Sequence, residues 1–177
     1  TGIEGKINAI QYCRENDVPF LGLCLGMQTA VIEYARSAAG MTGAHSTEID
    51  AKTQYPVIDI LESQKKNLED ENYGASMRLG AYPAVLKKGT VVHGLYGKEN
   101  VSERHRHRYE VNPNYIEKLE SAGLVFSGAS PDGRLMEFIE LPKHKFFTAT
   151  QAHPEFNSRP LEPHPLFLGF VKACNEK

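Results

Sequence analysis

A single α/β domain, with a mostly parallel central sheet and helices on both faces, is the fold this chain predicts, and three observations predict it. Residues 3–35 run helix, strand, tight turn, helix, an order that builds parallel sheets covered on two sides. Strand-like apolar runs alternate with helix-periodic segments along much of the rest. The 177 residues suffice for one sizeable core and are short for two.

Each element has its own signal. Ile7, Ile10 and Cys13 recur at helical spacing, and "END" closes that helix before Pro19. "PFLGL" (19–23) is a short buried strand. Met27, Ala30, Val31 and Tyr34 then restore helix periodicity. "YPVIDIL" (55–61) reads as a strand. The charged, Gly-containing "ESQKKNLEDENYGAS" (62–76) reads as a surface loop. "MRLGAYPAVL" (77–86) and "RHRHRYEV" (104–111) are expected strands. In "NPNYIEKLESAG" Asn112 opens a helix with Pro113 at its first position, and Gly123 ends it. "LVFSGAS" and "RLMEFIEL" flank the turn "SPDG", the pattern of a β-hairpin. "KFFTATQAHPEF" (145–156) is a strand broken at Pro154. "HPLFLGFVKAC" (164–174) closes the chain as a helix with Phe167, Phe170, Val171 and Cys174 on one face.

Composition excludes several functions. Twenty basic residues nearly balance 22 acidic ones, so no global field recommends nucleic acid or an anionic membrane as partner. No apolar run approaches the roughly 20 residues of a membrane span, and no signal peptide opens the sequence. A soluble, cytoplasmic protein is expected. Cys13, Cys24 and Cys174 have spacings of neither a disulfide framework nor a zinc cluster, so reduced thiols are expected.

The chemistry centres on "GLCLG" (22–26). In Gly22-x-Cys24-x-Gly26 the thiol sits on a strand-to-helix turn so tight that its neighbours need to be nearly free of side chains, as in a serine nucleophile elbow. The sulfur then lies at a helix N-terminus, whose dipole and unpaired N–H groups favour thiolate. The Leu25 N–H is free to bond an oxyanion. The alternative is a cysteine serving as a small core hydrophobe. A nucleophilic cysteine needs a base and an orienter. "QAHPEF" offers both, because on an extended segment His153 and Glu155 project to the same side. His105 and His107 also share a face, but no third ligand of matching spacing appears, and no metal is expected. A basic phosphate-binding strand is a better reading of "RHRHR" than metal, second to substrate recognition with strand packing.

"GLCLGMQ" followed by a later "HPE" resembles the class I glutamine amidotransferases, whose Cys-His-Glu triad hydrolyses the side-chain amide of glutamine and passes ammonia to a second active site. "STEI" (46–49), "MRLGAYP", "ERHRHRYEVNP", "QAHPEFNSRP" and "HPLFLGFVKA" resemble one branch of that family over nearly the whole chain. In that branch an N-terminal synthase domain of the same polypeptide aminates UTP to CTP with ATP and Mg, under control by GTP. The resemblance implies a flavodoxin-like fold with a nucleophile elbow and no cofactor in this domain. It further implies L-glutamine as substrate and a homo-oligomeric full-length enzyme.

The resemblance also assigns roles. Cys24 would be the nucleophile, His153 the general acid/base and Glu155 its orienter. Leu25, Gly26, Met27 and Gln28 match the substrate-contacting segment after the nucleophile. Glu48 and Arg108 match the positions that bind the α-ammonium and α-carboxylate, and an acidic group and a guanidinium fork suit those charges. The family's "GGFG" loop, which supplies a second oxyanion N–H, and the strands before it have no counterpart in residues 1–177. The expected domain is therefore 1–177 without them. Ala152 stands where relatives often carry an aromatic residue. Two alternatives are a stand-alone γ-glutamyl hydrolase on the same fold and a noncatalytic module. Glu48 and Arg108 together argue for free glutamine against the first; the intact triad argues against the second, while the unmatched glycine loop argues for it.

Overall fold

The structure is a computed structural model that describes residues 2–60 and 77–176. The surface loop expected over 62–76 lies outside the described residues. Helix α1 (Ile3–Glu15) leads into β1 (Phe20–Leu23) and α2 (Leu25–Ser37). Strands β2 (His45–Ser46), β3 (Pro56–Asp59) and β4 (Arg78–Leu86) follow, then a short helix α3 (Val91–Tyr96). Next come β5 (Asn100–His107), β6 (Glu110–Val111), a 3-10 turn at Pro113–Tyr115 and α4 (Ile116–Ser121). Strands β7 (Val125–Ala129), β8 (Met136–Glu140) and β9 (Phe147–Thr150) precede a 3-10 turn at Pro154–Phe156 and the closing helix α5 (Pro165–Asn175).

The main sheet has the order β1-β9-β8-β7-β4-β5, and β2-β3-β6 form a second, smaller sheet. Helices do cover both faces of the main sheet, but it is mixed and not mostly parallel. Among the described residues of this sheet only β1 and β9 pair parallel, and the pairs β8–β9, β7–β8, β4–β7 and β4–β5 are antiparallel. For β7–β8 and β8–β9, chain length between strands explains this. Residues 130–135 and 141–146 are enough to turn a hairpin, whereas a parallel return needs a crossover of about a dozen residues or more.

Strand β8 is buried along its whole length. Phe138 packs with Leu86, Val92, Val101 and Leu166 on one face, where α3 and α5 lie. Its neighbour Ile139 joins Ile7, Ile10, Val31 and Phe147 on the other, under α1 and α2. Helix α2 is buried from Met27 to Ala35, including Glu33, whose carboxylate accepts from Arg14 Nε and Nη2 at 2.8–3.1 Å. That pairing lets a charge sit inside the core.

Two expectations need correction. The stretch 104–111 is not one strand: β5 pairs with β4, while Glu110 and Val111 pair with Asp59 and Ile58 in the other sheet. The chain therefore breaks at Arg108–Tyr109. In α5 the buried line is Leu166, Gly169 and Ala173, whereas Val171 is 55% exposed and Cys174 is exposed. Gly169 sets this face, because a Cβ there would stand 2.6 Å from Leu95 Cδ2. No described helix is long and apolar enough to cross a membrane.

Candidate active site

Strands β1 and β9 run parallel with Leu23 opposite Thr150, so Cys24 and the segment carrying His153 leave the sheet at the same edge. The Cys24 main-chain N–H donates to Thr150 O at 2.8 Å, extending the ladder up to the thiol-bearing residue. Cys24 has φ 50° and ψ −105°, a region that costs a non-glycine residue strain. Helix α2 begins immediately after it. Gly22 makes this elbow possible, since a Cβ there would meet Ala149 Cβ at 2.8 Å and the Gly26 carbonyl at 2.9 Å. Gly26 does not share that requirement. A Cβ at Gly26 meets nothing within 4 Å, because the first turn of α2 aims it at open space.

The expected lowering of the thiol is outweighed. Burial pushes the Cys24 thiol above its ordinary value, and the Glu155 and Glu110 carboxylates push the same way. The Leu25 N–H and the Gln151 amide pull it down. Among the described residues the side chain that hydrogen-bonds Sγ is that of Gln151, through Nε2 at 3.8 Å, and not that of His153. His153 is held by its main-chain N–H on Arg104 O at 2.8 Å, and its Nδ1 lies 2.7 Å from Glu155 Oε1. The pair forms, but not by alternation along a strand. Strand β9 ends at Thr150, and the 3-10 turn at Pro154–Phe156 brings Glu155 back to the ring.

A cavity of about 300 Å³ opens beside the sulfur, bordered by Cys24, Leu25, Gln28, Glu48, Arg108 and Tyr109. Arg108 reaches it because the chain breaks between β5 and β6 there. Its Nε is buried and has no hydrogen-bond partner among the described residues. Glu48 sits exposed on the turn after β2, where its main-chain N–H donates to Ser46 Oγ at 3.2 Å. Gln28 Nε2 already donates to Tyr109 O at 3.0 Å and to Gln151 Oε1 at 3.4 Å. Gly26 and Met27 do not border the cavity. The Met27 side chain is in the core, and the Met27 and Gln28 N–H groups both bond Cys24 O. The helix turn thus leaves the Leu25 N–H to the Cys24 sulfur and the Gly26 N–H with no hydrogen-bond partner among the described residues.

"RHRHR" divides by strand alternation. Arg104 and Arg106 face outward, while His105 and His107 face inward and bond each other, Nδ1 to Nε2, at 2.9 Å. Burial, then the Arg78 cation, holds both rings neutral, with His105 brought down to about 2 and His107 to about 3. Arg78 lies between Glu137 (2.7 Å) and Glu110 (3.4 Å). Burial pushes the Glu110 carboxyl up to about 8 despite that cation. Among the described residues no cluster of three or more His, Cys, Asp or Glu could hold a metal.

Gln151, Tyr109 and the Glu110–Glu137–Arg78 group were not singled out from sequence. The sequence signal for Gln151 was its place two residues before His153; its pairing to the elbow strand was not readable.

A family model described as "Glutamine amidotransferase class-I" matches residues 1–173, and the chain belongs to that family. A solved structure titled as the Trypanosoma brucei CTPS glutaminase domain with bound acivicin superposes with a TM-score of 0.92 and 38% identity. It covers 99% of this chain, which covers 67% of it. Among curated relatives, the CTP synthase of Methanocaldococcus jannaschii is 63% identical over 172 residues, 97% of this chain and 31% of that protein. The CTP synthase of Pyrococcus furiosus is 61% identical over 176 residues, 99% of this chain and 32% of that protein. Within its family the chain matches the glutaminase-domain part of CTP synthases, and it spans about a third of the length of the curated relatives it matches. A putative GMP synthase subunit from Thermoplasma acidophilum, 12% identical with a TM-score of 0.57, shares the fold.

Proposed function

We propose that this chain hydrolyses L-glutamine to glutamate and ammonia, with Cys24 as nucleophile, His153 as general acid/base and Glu155 as its orienter. One observation carries the reading: a strained cysteine opens on the same small cavity as Glu48 and a buried guanidinium N–H that has no partner among the described residues. A free amino acid offers the complementary charges, its carboxylate to Arg108 and its ammonium to Glu48. Because burial pushes the thiol pKa up, proton removal belongs to the attack itself. The Cys24 proton passes to His153 as Sγ bonds the carboxamide carbon, and the oxyanion takes the Leu25 N–H. His153 returns the proton to nitrogen, the C–N bond breaks, and ammonia leaves a glutamyl thioester. Water then adds at the same carbon, its proton passes through His153, and the C–S bond breaks to release glutamate.

Leu25, Gly26, Met27 and Gln28 enter this reading as the segment that follows the nucleophile, with the N–H groups of Leu25 and Gly26 at the start of α2. Ammonia reacts only unprotonated, so it is handed over without crossing bulk water. The receiving site is an N-terminal synthase domain of the same polypeptide, which aminates UTP using ATP and Mg and responds to GTP. The full-length enzyme is cytoplasmic and oligomeric. Support for a further domain is the one-third coverage of CTP synthases. Exposure to a diazo-ketone glutamine mimic tests the nucleophile, with one adduct expected on Cys24 by peptide mass spectrometry. An adduct on Cys13 or Cys174 with Cys24 unmodified refutes it. Cys24→Ala in the full-length enzyme should lose glutamine hydrolysis and keep synthesis from added ammonia.

A further inference from the structure

We infer that Gln151 is a catalytic residue of this site, presenting a side-chain N–H to the reacting sulfur in an orientation dictated by Gln28 and the Tyr109 carbonyl. The reaction it serves rests on the glutaminase reading. The geometry does not. Gln151 is fully buried one residue beyond β9, and its main-chain N–H is fixed on Glu137 O at 2.9 Å. Its Nε2 lies 3.8 Å from Cys24 Sγ. An amide can face a sulfur with either end, and the two ends have opposite effects on a thiolate.

The far end of the chain of contacts decides which. The Tyr109 carbonyl can only accept, so Gln28 turns its Nε2 to it, at 3.0 Å. A second hydrogen on the same nitrogen then reaches Gln151 Oε1 at 3.4 Å. With its oxygen so engaged, Gln151 has its NH₂ left for the sulfur. Reversing Gln151 would set two NH₂ groups against each other and aim oxygen lone pairs at a developing anion.

Negative charge arises on the sulfur twice in the proposed cycle. It appears when the thiol proton moves to His153, and again when the thioester C–S bond breaks and its electron pair returns to sulfur. Gln151 gives up no proton in either step; it donates one hydrogen bond to the charged sulfur. The other groups acting on this thiol are the Leu25 N–H at the start of α2, Glu155 from the turn after β9, and Glu110 on β6. Both carboxylates oppose the thiolate, so the two N–H donors carry the opposing pull.

The test is the pH dependence of Cys24 alkylation by iodoacetamide in the full chain, mapped by peptide mass spectrometry. Gln151→Met keeps side-chain length and loses the donor. Its apparent thiol pKa should rise by about 1, and kcat for glutamine should fall about tenfold with KM changed less than about twofold. Gln28→Met leaves Gln151 in place but releases its orientation, and should move the alkylation profile part of the same way. The parent protein supplies a readout independent of any folding defect: the Gln151 side-chain ¹⁵N–¹H resonances should titrate with Cys24 and lose that titration in Cys24→Ala. Resonances indifferent to Cys24, or a folded Gln151→Met variant with the parent's alkylation profile, would overturn the assignment. A shifted profile in a protein that does not hydrolyse glutamine would instead retire the glutaminase reading and leave the sulfur–amide pairing standing.

Discussion

Gly22→Ala should damage this protein more than any other single methyl group added to the elbow. The added Cβ would stand 2.8 Å from Ala149 Cβ and 2.9 Å from both the carbonyl carbon and oxygen of Gly26. Those atoms belong to β9 and to the first turn of α2, not to the free end of a flexible side chain, so relief requires backbone movement. Overpacking of this kind costs about 1–3 kcal/mol. At about 2–4 °C per kcal/mol for a chain of this size, the melting temperature should fall by roughly 2–12 °C. The movement that relieves the clash separates Cys24 from Thr150 and from the cavity, and a misplacement of about 1 Å costs on the order of 100-fold in rate. Gly26→Ala is the matched control for stability. Its Cβ meets nothing within 4 Å inside a helix, where replacing glycine by alanine adds about 0.5–1 kcal/mol. Thermal melts of the two variants, with glutamine turnover measured for Gly22→Ala, check the argument. Equal losses of stability in both, or an unchanged Gly22→Ala, would refute the claim that close approach of β9 and α2 dictates this glycine.

Arg108→Lys keeps the charge but removes the planar fork and the buried Nε–H, so KM for glutamine should rise by the equivalent of about 1–3 kcal/mol, read from steady-state kinetics. Glu155→Gln should slow turnover by loosening His153. Because the Glu155 carboxylate holds the thiol up, the same variant should lower the apparent pKa for Cys24 alkylation measured without glutamine. Glu110 gives a stability prediction. Its folded pKa of about 8 lies above an unfolded carboxyl near 4.3, so its contribution is fully present below about pH 4.3 and is lost as pH rises through 8. Glu110→Gln should therefore gain stability relative to the parent between pH 5 and 8, measured by paired melts.

Much of this protein was legible because it is local. The elbow at 22–26 is a strand, a turn and a helix start within a few residues, and the steric demand on Gly22 follows from that backbone. His153 and Glu155 pair within one turn of chain. The helix start at Asn112 was equally readable, since Asn112 Oδ1 accepts from the Asn114 N–H at 3.1 Å.

What the tertiary structure decided involves partners far apart in sequence. The break at Arg108–Tyr109 exists because β4 claims residues 100–107 while β3 claims Glu110 and Val111, and no residue within 104–111 announces two sheets. The same division sends His105 and His107 inward and Arg108 into the cavity. Apolar patterning chose the wrong face of α5, because Gly169 and Ala173 permit close approach without themselves looking like core. Gln151 meets Cys24, 127 positions away, only through the parallel pairing of β1 with β9. The residue types needed for the chemistry were thus written along the chain, but their meeting depends on pairings whose energy comes from burial elsewhere. A short stretch of sequence determines its own turns and periodicity, and packing against distant segments determines which side chains end up facing one another.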